Sequence, residues 1–184
     1  MPNLQRLPIF INHQLSQMLF LEQIELIFPK LYFNDQDCIQ LVSGLKDLKN
    51  LTLVDIDFSE NFIGLPFMQC LYSILKGRKL RELSVNFSQT QMDQKCYSML
   101  LELIGSLDGD SLLKLQIHVM NYSYPFRVDN KMFHQALKSK WKLEELVLNF
   151  AYQKLNRQSI INLTSGIIQL EGLQVLHLNL YSTQ

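Results

Sequence analysis

The chain has 184 residues, of which 47% are hydrophobic and 18% are charged. This length and composition suit one domain with a substantial core and exclude an intrinsically disordered chain. Because 17 basic residues balance 17 acidic ones, the chain has no overall charge that would draw it to nucleic acid or to an anionic membrane.

No apolar run approaches the length of a transmembrane helix, and the N-terminus lacks the basic and apolar segments of a secretory signal. The three cysteines, Cys38, Cys70 and Cys96, form no Cys-x-x-Cys pair, so we expect buried thiols that behave as small hydrophobic residues. Such thiols are typical of a reducing compartment. These observations together predict a cytoplasmic protein with no membrane partner.

The first predicted element lies in residues 1–20 and is an irregular copy of a pattern that the rest of the chain repeats. Leu4-x-x-Leu7-x-Ile9-x-Ile11 has the apolar alternation of a strand, but it stands only 17 residues before the next copy. We interpret residues 1–20 as either a shortened first repeat or a capping segment.

Six further copies of the pattern follow at intervals of 29 to 32 residues. Each has apolar residues at its first, fourth, sixth and eighth positions, as in Leu21-x-x-Ile24-x-Leu26-x-Phe28. Alternation with a period of two is typical of a strand with one buried face. The copies therefore predict six strands, near residues 21–28, 51–58, 80–87, 112–119, 143–150 and 173–180.

The segments between these strands have helical spacing, with apolar residues three or four positions apart, as at Ile160, Leu163, Ile167 and Leu170. A small residue stands seven positions before the first leucine of five copies, at Gly44, Ser73, Gly105, Ala136 and Gly166. We interpret this position as a close approach of the helix backbone to the strand layer. One strand and one helix cannot bury their apolar sides alone, so the units must stack side by side.

The repeated units resemble leucine-rich repeat proteins, and a unit near thirty residues with a full helix is similar to their ribonuclease-inhibitor-like class. The resemblance covers roughly residues 21–180 and implies an α/β fold, and we assign residues 1–184 to one domain. Its architecture would be a right-handed solenoid in a horseshoe arc, with a parallel sheet on the concave side and helices on the convex side.

The family usually places asparagine three residues after the eighth position, where its side chain satisfies backbone groups of the turn. Here Asn61 alone matches. We therefore expect other side chains to complete the remaining turns, whose matching positions hold Leu31, Thr90, Tyr122, Gln153 and Thr183.

The resemblance places the polar positions of each strand on the concave face, where they could contact a partner. By this count the concave face holds two basic residues, Arg81 and Lys114, against seven acidic ones. We therefore predict that it prefers a basic peptide or protein surface. The candidate protein-binding residues are Glu25, Asp55, Asp57, Glu82, Ser84, Asn86, Gln116, His118, Glu145, Asn149, His177 and Asn179.

A column of polar residues crosses the predicted sheet at the seventh position of four copies, at Asn86, His118, Asn149 and Asn179. Such side chains could hydrogen-bond to a ligand that runs across the strands. They could equally bond one another or water, which we favour in the absence of a partner.

Basic residues collect just before the strands, and we call them the lysine rim. Cations near helix C-termini complement the helix dipole, which we favour as their role. Alternatively, the rim could steer a partner or contact phosphates. Nucleic-acid binding is disfavoured because the predicted concave face is acidic, and the lysine rim is the one surface that could support it. The rim consists of Lys46, Lys49, Lys76, Arg78, Lys79, Lys138, Lys140 and Lys142.

No catalytic or phosphate-binding motif is present in the sequence, and the glycines are dispersed. Asp55 and Asp57 share one strand face and could ligate a divalent cation, but a metal site needs more ligands. We therefore predict a protein that is not an enzyme and holds no cofactor or metal.

The leading hypothesis is a protein-interaction scaffold or adaptor that serves as a non-catalytic subunit of a larger complex. The alternatives are a regulator of an enzyme, of the inhibitor or GTPase-activating type, and a structural subunit of an RNA–protein complex. The last copy ends at Leu180 with no helix after it. Either the chain is a fragment, or a partner or a second copy covers the last strand.

Overall fold

The computed structural model describes residues 6–123, 125 and 130–181. Leu4 and Thr183 lie outside the described residues. Helices and strands alternate along the chain, with a 3₁₀ helix at Gly44–Asp47 directly after the second helix. The helices are α1 Leu7–Leu15, α2 Asp35–Ser43, α3 Leu65–Leu75, α4 Gln94–Ser106, α5 Asn130–Leu137 and α6 Arg157–Ile168. The strands are β1 Gln23–Ile27, β2 Leu53–Asp57, β3 Glu82–Asn86, β4 Lys114–His118, β5 Glu145–Asn149 and β6 Val175–Asn179.

The six strands form one parallel sheet in the order of the sequence, which confirms the predicted arrangement. Each strand covers five residues, the third to the seventh position of its copy. The register pairs equal positions throughout, so that Ile24 lies beside Val54 and Val54 beside Leu83. The repeat in the sequence is therefore also the repeat in space.

The core lies between the sheet and the helices. The fourth and sixth positions are buried from β1 to β5, as the alternation predicts. Aromatic rings continue the core at the eighth position, where the Phe58 ring lies 6.2 Å from Phe28 and 5.6 Å from Phe67. Each helix packs against the helix of the next unit. Neighbouring units thus bury each other's apolar surfaces.

Capping residues explain where several helices begin. Asn34 and Asp37 form a reciprocal capping box at the start of α2, with side-chain to backbone distances of 3.1 Å in both directions. Asp93 accepts from the Cys96 amide at 2.9 Å at the start of α4. Asn156 does the same for the Ser159 amide of α6 at 2.8 Å. These caps satisfy amides that have no partner within the helix.

Leu7–Leu15 of the first copy forms the helix α1 and not a strand, although its apolar residues alternate. Its residues Leu7, Ile11 and Leu15 are also four apart, and all three pack against the core. Pro8, near the first turn, favours a helical start. The helix contacts α2 and the 3₁₀ helix that follows it.

The recurring small residue serves helix–helix packing instead of the predicted approach to the strand layer. A Cβ on Gly44 would lie 2.9 Å from the Cβ of Leu15 in α1. A Cβ on Gly166 would lie 3.1 Å from the Cα of His134 in α5. The position is small because the helices of neighbouring units nearly touch there.

Different side chains complete the turns after the strands, as expected from the scarcity of asparagine. Buried Asn61 does so after β2, and buried Thr90 donates to the Phe87 carbonyl oxygen at 2.7 Å after β3. Gln153 donates to the Val119 carbonyl oxygen. After β4 the residue is Asn121, not Tyr122, and its amide donates to the Thr90 carbonyl oxygen at 2.8 Å.

Candidate protein-binding surface

The concave face presents its side chains in two rows that cross the sheet. Residues at the fifth position of each strand lie side by side, because the register aligns Glu25, Asp55, Ser84, Gln116, Val147 and His177. The seventh position gives a second row of Ile27, Asp57, Asn86, His118, Asn149 and Asn179. Neighbouring side chains in a row are thus separated by one strand spacing, about 4.8 Å.

An acidic cleft of about 140 Å³ opens on the first row, over β1 to β4. We define the acidic cleft by Glu25, Asp55, Glu82, Ser84, Lys114 and Gln116, which line it. The single ammonium group, on Lys114, lies 3.2 Å from Oε1 of Glu145, and Gln116 donates to the same oxygen at 3.0 Å. Because Glu145 balances Lys114, the carboxylates of Glu25, Asp55 and Glu82 set the charge of the cleft.

The second row mainly closes the turns after the strands. Asn86 accepts from the Ser88 amide at 3.1 Å, Asn149 from Ala151 at 3.2 Å and Asn179 from Tyr181 at 3.1 Å. In each turn the acceptor is a side-chain oxygen and the donor is the amide two residues later, as in an Asx turn. The column predicted from the sequence therefore has a structural role.

Asp57 belongs to the same structural row. Its Oδ1 accepts from the amide and the hydroxyl of Ser59, at 2.9 and 2.6 Å, and its Oδ2 accepts from the Asn86 amide at 3.0 Å. The last bond joins two neighbouring strands through the seventh position. Both carboxylate oxygens are thus engaged within the chain, and Asp57 is less suited than Asp55 to contact a partner.

Two histidines, from strands two repeats apart, line one further cleft of about 340 Å³ near the end of the sheet. His118 is half-buried, and burial lowers its pKa while the charges of Asp57 and Asp55 oppose that shift. Burial therefore favours the neutral form of the His118 imidazole over the charged form. His177 is exposed, and Asn149 and Asn179 line the same cleft.

A row of three tyrosines, two exposed and the middle one half-buried, follows the last three strands and was missed in the sequence. The Tyr122 ring lies 6.0 Å from the Tyr152 ring, which lies 5.6 Å from Tyr181. Tyr122 and Tyr181 are each 66% exposed. We call Tyr122, Tyr152 and Tyr181 the aromatic ledge. They stand three, two and one residues after the eighth position of their copies. Because they share no position of the repeat, aligning the copies does not bring them together.

Two members of the lysine rim act inside the chain. Lys140 is 0% exposed and donates to the Leu107 carbonyl oxygen at 2.7 Å and to the Ser139 hydroxyl at 2.9 Å. Burial lowers its pKa, and Asp108 opposes the shift. Arg78 likewise donates to carbonyl oxygens near the end of α3, at Ile74, and in the 3₁₀ helix, at Leu45 and Lys46. For these two the favoured interpretation, neutralisation of a helix C-terminus, is confirmed.

Cys38 and Cys96 are buried, as predicted, and burial raises the pKa of each thiol to about 12, whereas Cys70 is half-buried. Over residues 6–123, 125 and 130–181, no cluster of three or more His, Cys, Asp or Glu side chains could hold a metal ion. Every helix in those ranges is too short or too polar to span a bilayer.

A solved structure of a known protein shares this architecture. The structure of the leiomodin-1 actin-binding site 2 matches with a TM-score of 0.59 over 92% of this chain and 92% of that chain, at 11% identity. The fold is a leucine-rich-repeat solenoid. An internalin from Listeria monocytogenes is also similar, at 16% identity and a TM-score of 0.42, over 89% of this chain and 43% of that chain. No protein-family model and no curated protein sequence matches the chain.

Proposed function

We propose that this protein is a non-catalytic scaffold or adaptor, a subunit of a larger complex, that binds a protein partner across the concave face. The observation that carries the proposal is the register of the sheet, which holds Glu25, Asp55, Ser84 and Gln116 in one ordered row. Side chains fixed by parallel strands lose little conformational freedom when a partner binds. The leiomodin structure supports the fold alone, and its actin-binding function belongs to that protein.

The chemistry of the surface favours a basic segment beside an apolar or aromatic one. The carboxylates of Glu25, Asp55 and Glu82 surround the acidic cleft and attract lysine or arginine side chains. The aromatic ledge offers two exposed tyrosine rings and a half-buried one, and tyrosine is enriched at protein interfaces and at their hot spots. A partner that runs across the strands from the cleft to the ledge would use both.

The repeat unit supports the proposed leucine-rich-repeat class, and the buried thiols support the proposed cytoplasmic location. Units of 29 to 32 residues that contain helices of 8 to 13 residues support membership of the ribonuclease-inhibitor-like class. The buried free thiols of Cys38 and Cys96 support a cytoplasmic location.

Charge reversal in the acidic cleft tests the proposed function. The double variant Glu25→Lys/Asp55→Lys should bind lysine- and arginine-rich peptides at least about tenfold more weakly than the wild type, because two attractive contacts become repulsive. Binding to an array of basic, neutral and acidic synthetic peptides can be measured by fluorescence anisotropy at two salt concentrations. Asp57 is left unchanged, since its carboxylate holds the turn at Ser59.

The matched control is Glu102→Lys/Glu171→Lys, which changes the net charge equally at two exposed positions outside the concave face. The control should retain the peptide affinity of the wild type. Equal affinities for the cleft variant and the wild type, or equal losses in both variants, would contradict binding through the acidic cleft.

We also propose that a partner or a second copy of the chain covers β6. Leu176 and Leu178 are 45% and 39% exposed, although their counterparts in β2 to β5 are buried. An open strand edge with apolar side chains favours pairing with another chain. Sedimentation velocity should detect either self-association of the chain or binding of a partner. The variant Leu176→Lys/Leu178→Lys should abolish whichever of the two occurs. A monomeric, soluble chain whose binding is unchanged by removal of residues 173–184 would be inconsistent with a covered β6.

A further inference from the structure

A basic groove of about 660 Å³ lies between the loops that lead into β2 and β3. We define the basic groove by Lys46, Lys49, Lys76, Arg78 and Lys79, which line it together with Ser73. The first two precede β2 and the other three precede β3, so the stacking of two units brings together cations about thirty residues apart. The basic groove and the acidic cleft share no lining residue. The volume of the groove lies within the range of small-molecule sites.

Arg78 makes this end of the unit suitable for an anion. Carbonyl oxygens at a helix C-terminus carry partial negative charge, which would repel an anion. The Arg78 guanidinium covers four of them: it donates to Ile74 at 2.8 Å, to Leu45 at 2.7 Å, to Lys46 at 3.0 Å and to Leu48. These four carbonyl oxygens are thus already paired with a cation.

The lysines of the basic groove have no carboxylate partners in the described part of the chain, where the ion pairs are Lys30–Glu60 and Lys114–Glu145. Lys49 donates to the Lys46 carbonyl oxygen at 2.9 Å, and the Lys76 ammonium lies 5.7 Å from the Tyr72 ring. Of the nearby carboxylates, Asp47 acts on Arg78. Four ammonium groups around one groove repel each other, and a multivalent anion would relieve that repulsion.

We propose that the basic groove binds a compact anion that carries several phosphate groups. Phosphate oxygens accept charge-assisted hydrogen bonds from lysine, and several phosphates match several ammonium groups better than one would. Single-stranded nucleic acid is disfavoured, because its sites usually offer aromatic rings for base stacking and the residues that line this groove include none. This site goes beyond the proposed scaffold function, since it uses neither the acidic cleft nor the aromatic ledge.

Calorimetric titration of the full chain with inositol hexakisphosphate and with tripolyphosphate tests the proposal at physiological salt. Both probes should bind the wild type. Lys46→Glu/Lys79→Glu should weaken binding at least about tenfold, because it replaces two exposed ammonium groups of the groove by carboxylates. Arg78 is kept, since its loss would expose helix carbonyls. The control Lys138→Glu/Lys142→Glu, also exposed and of equal charge change, should bind as the wild type does.

Vesicles separate the two sources of such a ligand. Recruitment to phosphatidylcholine vesicles that contain phosphatidylinositol bisphosphate, lost in Lys46→Glu/Lys79→Glu, would identify a lipid headgroup; binding of the soluble probes alone would identify a free polyphosphate. Either result supports the groove. Failure of both probes and of the vesicles to bind, or equal loss in the control variant, would overturn the proposal. The proposal would also be overturned if single-stranded oligouridine bound more tightly than either probe and its binding required the same two lysines.

Discussion

Replacement of Asn61 by alanine should lower the free energy of unfolding by about 3 kcal/mol, because it removes a buried hydrogen-bonding hub. The side chain is 1% exposed. Its oxygen accepts from the Phe33 amide at 2.9 Å, and its amide group donates to the carbonyl oxygens of Phe28 at 2.7 Å and Phe58 at 3.1 Å. Alanine leaves these backbone groups without this partner, and each of the two that are buried, at Phe33 and Phe58, costs about 1–3 kcal/mol.

Urea denaturation followed by circular dichroism measures this loss. Asn50→Ala is the matched control, because Asn50 is exposed and makes one bond, to the Leu19 carbonyl oxygen at 3.2 Å; its cost should stay within about 0.5 kcal/mol. Asn61→Asp keeps the size but places a carboxylate against carbonyl oxygens, so its destabilisation should shrink as the pH falls and the carboxyl group gains a proton. Equal stability of Asn61→Ala and Asn50→Ala would refute the role of the hub.

The strands and their order could be predicted because six copies repeat one alternation, and equal positions must then pair. The first copy misled because its apolar residues satisfy two periods: Leu7, Ile9 and Ile11 alternate as in a strand, whereas Leu7, Ile11 and Leu15 have helical spacing. The helix forms because the second set packs against the core. A single copy could not decide between the two periods, and only tertiary contacts did.

The site was predicted less completely than the fold, because the alternation gives the face on which a side chain lies but not its hydrogen-bond partner. Asn86 and Asn149 have the outward positions that the alternation assigns, but each bonds an amide two residues later. Lys140 looked like a surface cation, yet its acceptor, the Leu107 carbonyl oxygen, belongs to the preceding unit. The tyrosines of the aromatic ledge drift by one position in each repeat, so no fixed register contains them.

The contact between the fourth and fifth units depends on Gly109. The Asp108–Asp110 segment lengthens the loop between α4 and β4, and it lies directly against the end of the following helix segment. A Cβ on residue 109 would lie 1.9 Å from the carbonyl oxygen of Ser139 and 2.8 Å from its carbonyl carbon. These are backbone atoms, so a change of rotamer cannot relieve the clash. The loop is also held by the Trp141 indole, which donates to Asp110 at 3.1 Å.

Gly109→Ala should therefore lower the free energy of unfolding by at least about 3 kcal/mol, at the upper end of overpacking effects, because the two units must separate to admit the methyl group. The control Gly77→Ala isolates backbone strain: Gly77 has φ of 71° and nothing within 4 Å of a Cβ, so alanine there should cost about 1–2 kcal/mol. Urea denaturation measures both losses. Hydrogen exchange should also show faster opening of α5 and β5 in Gly109→Ala alone, because the clash lies at their boundary with β4. A Gly109→Ala cost no greater than that of Gly77→Ala would mean that the loop yields without separating the units.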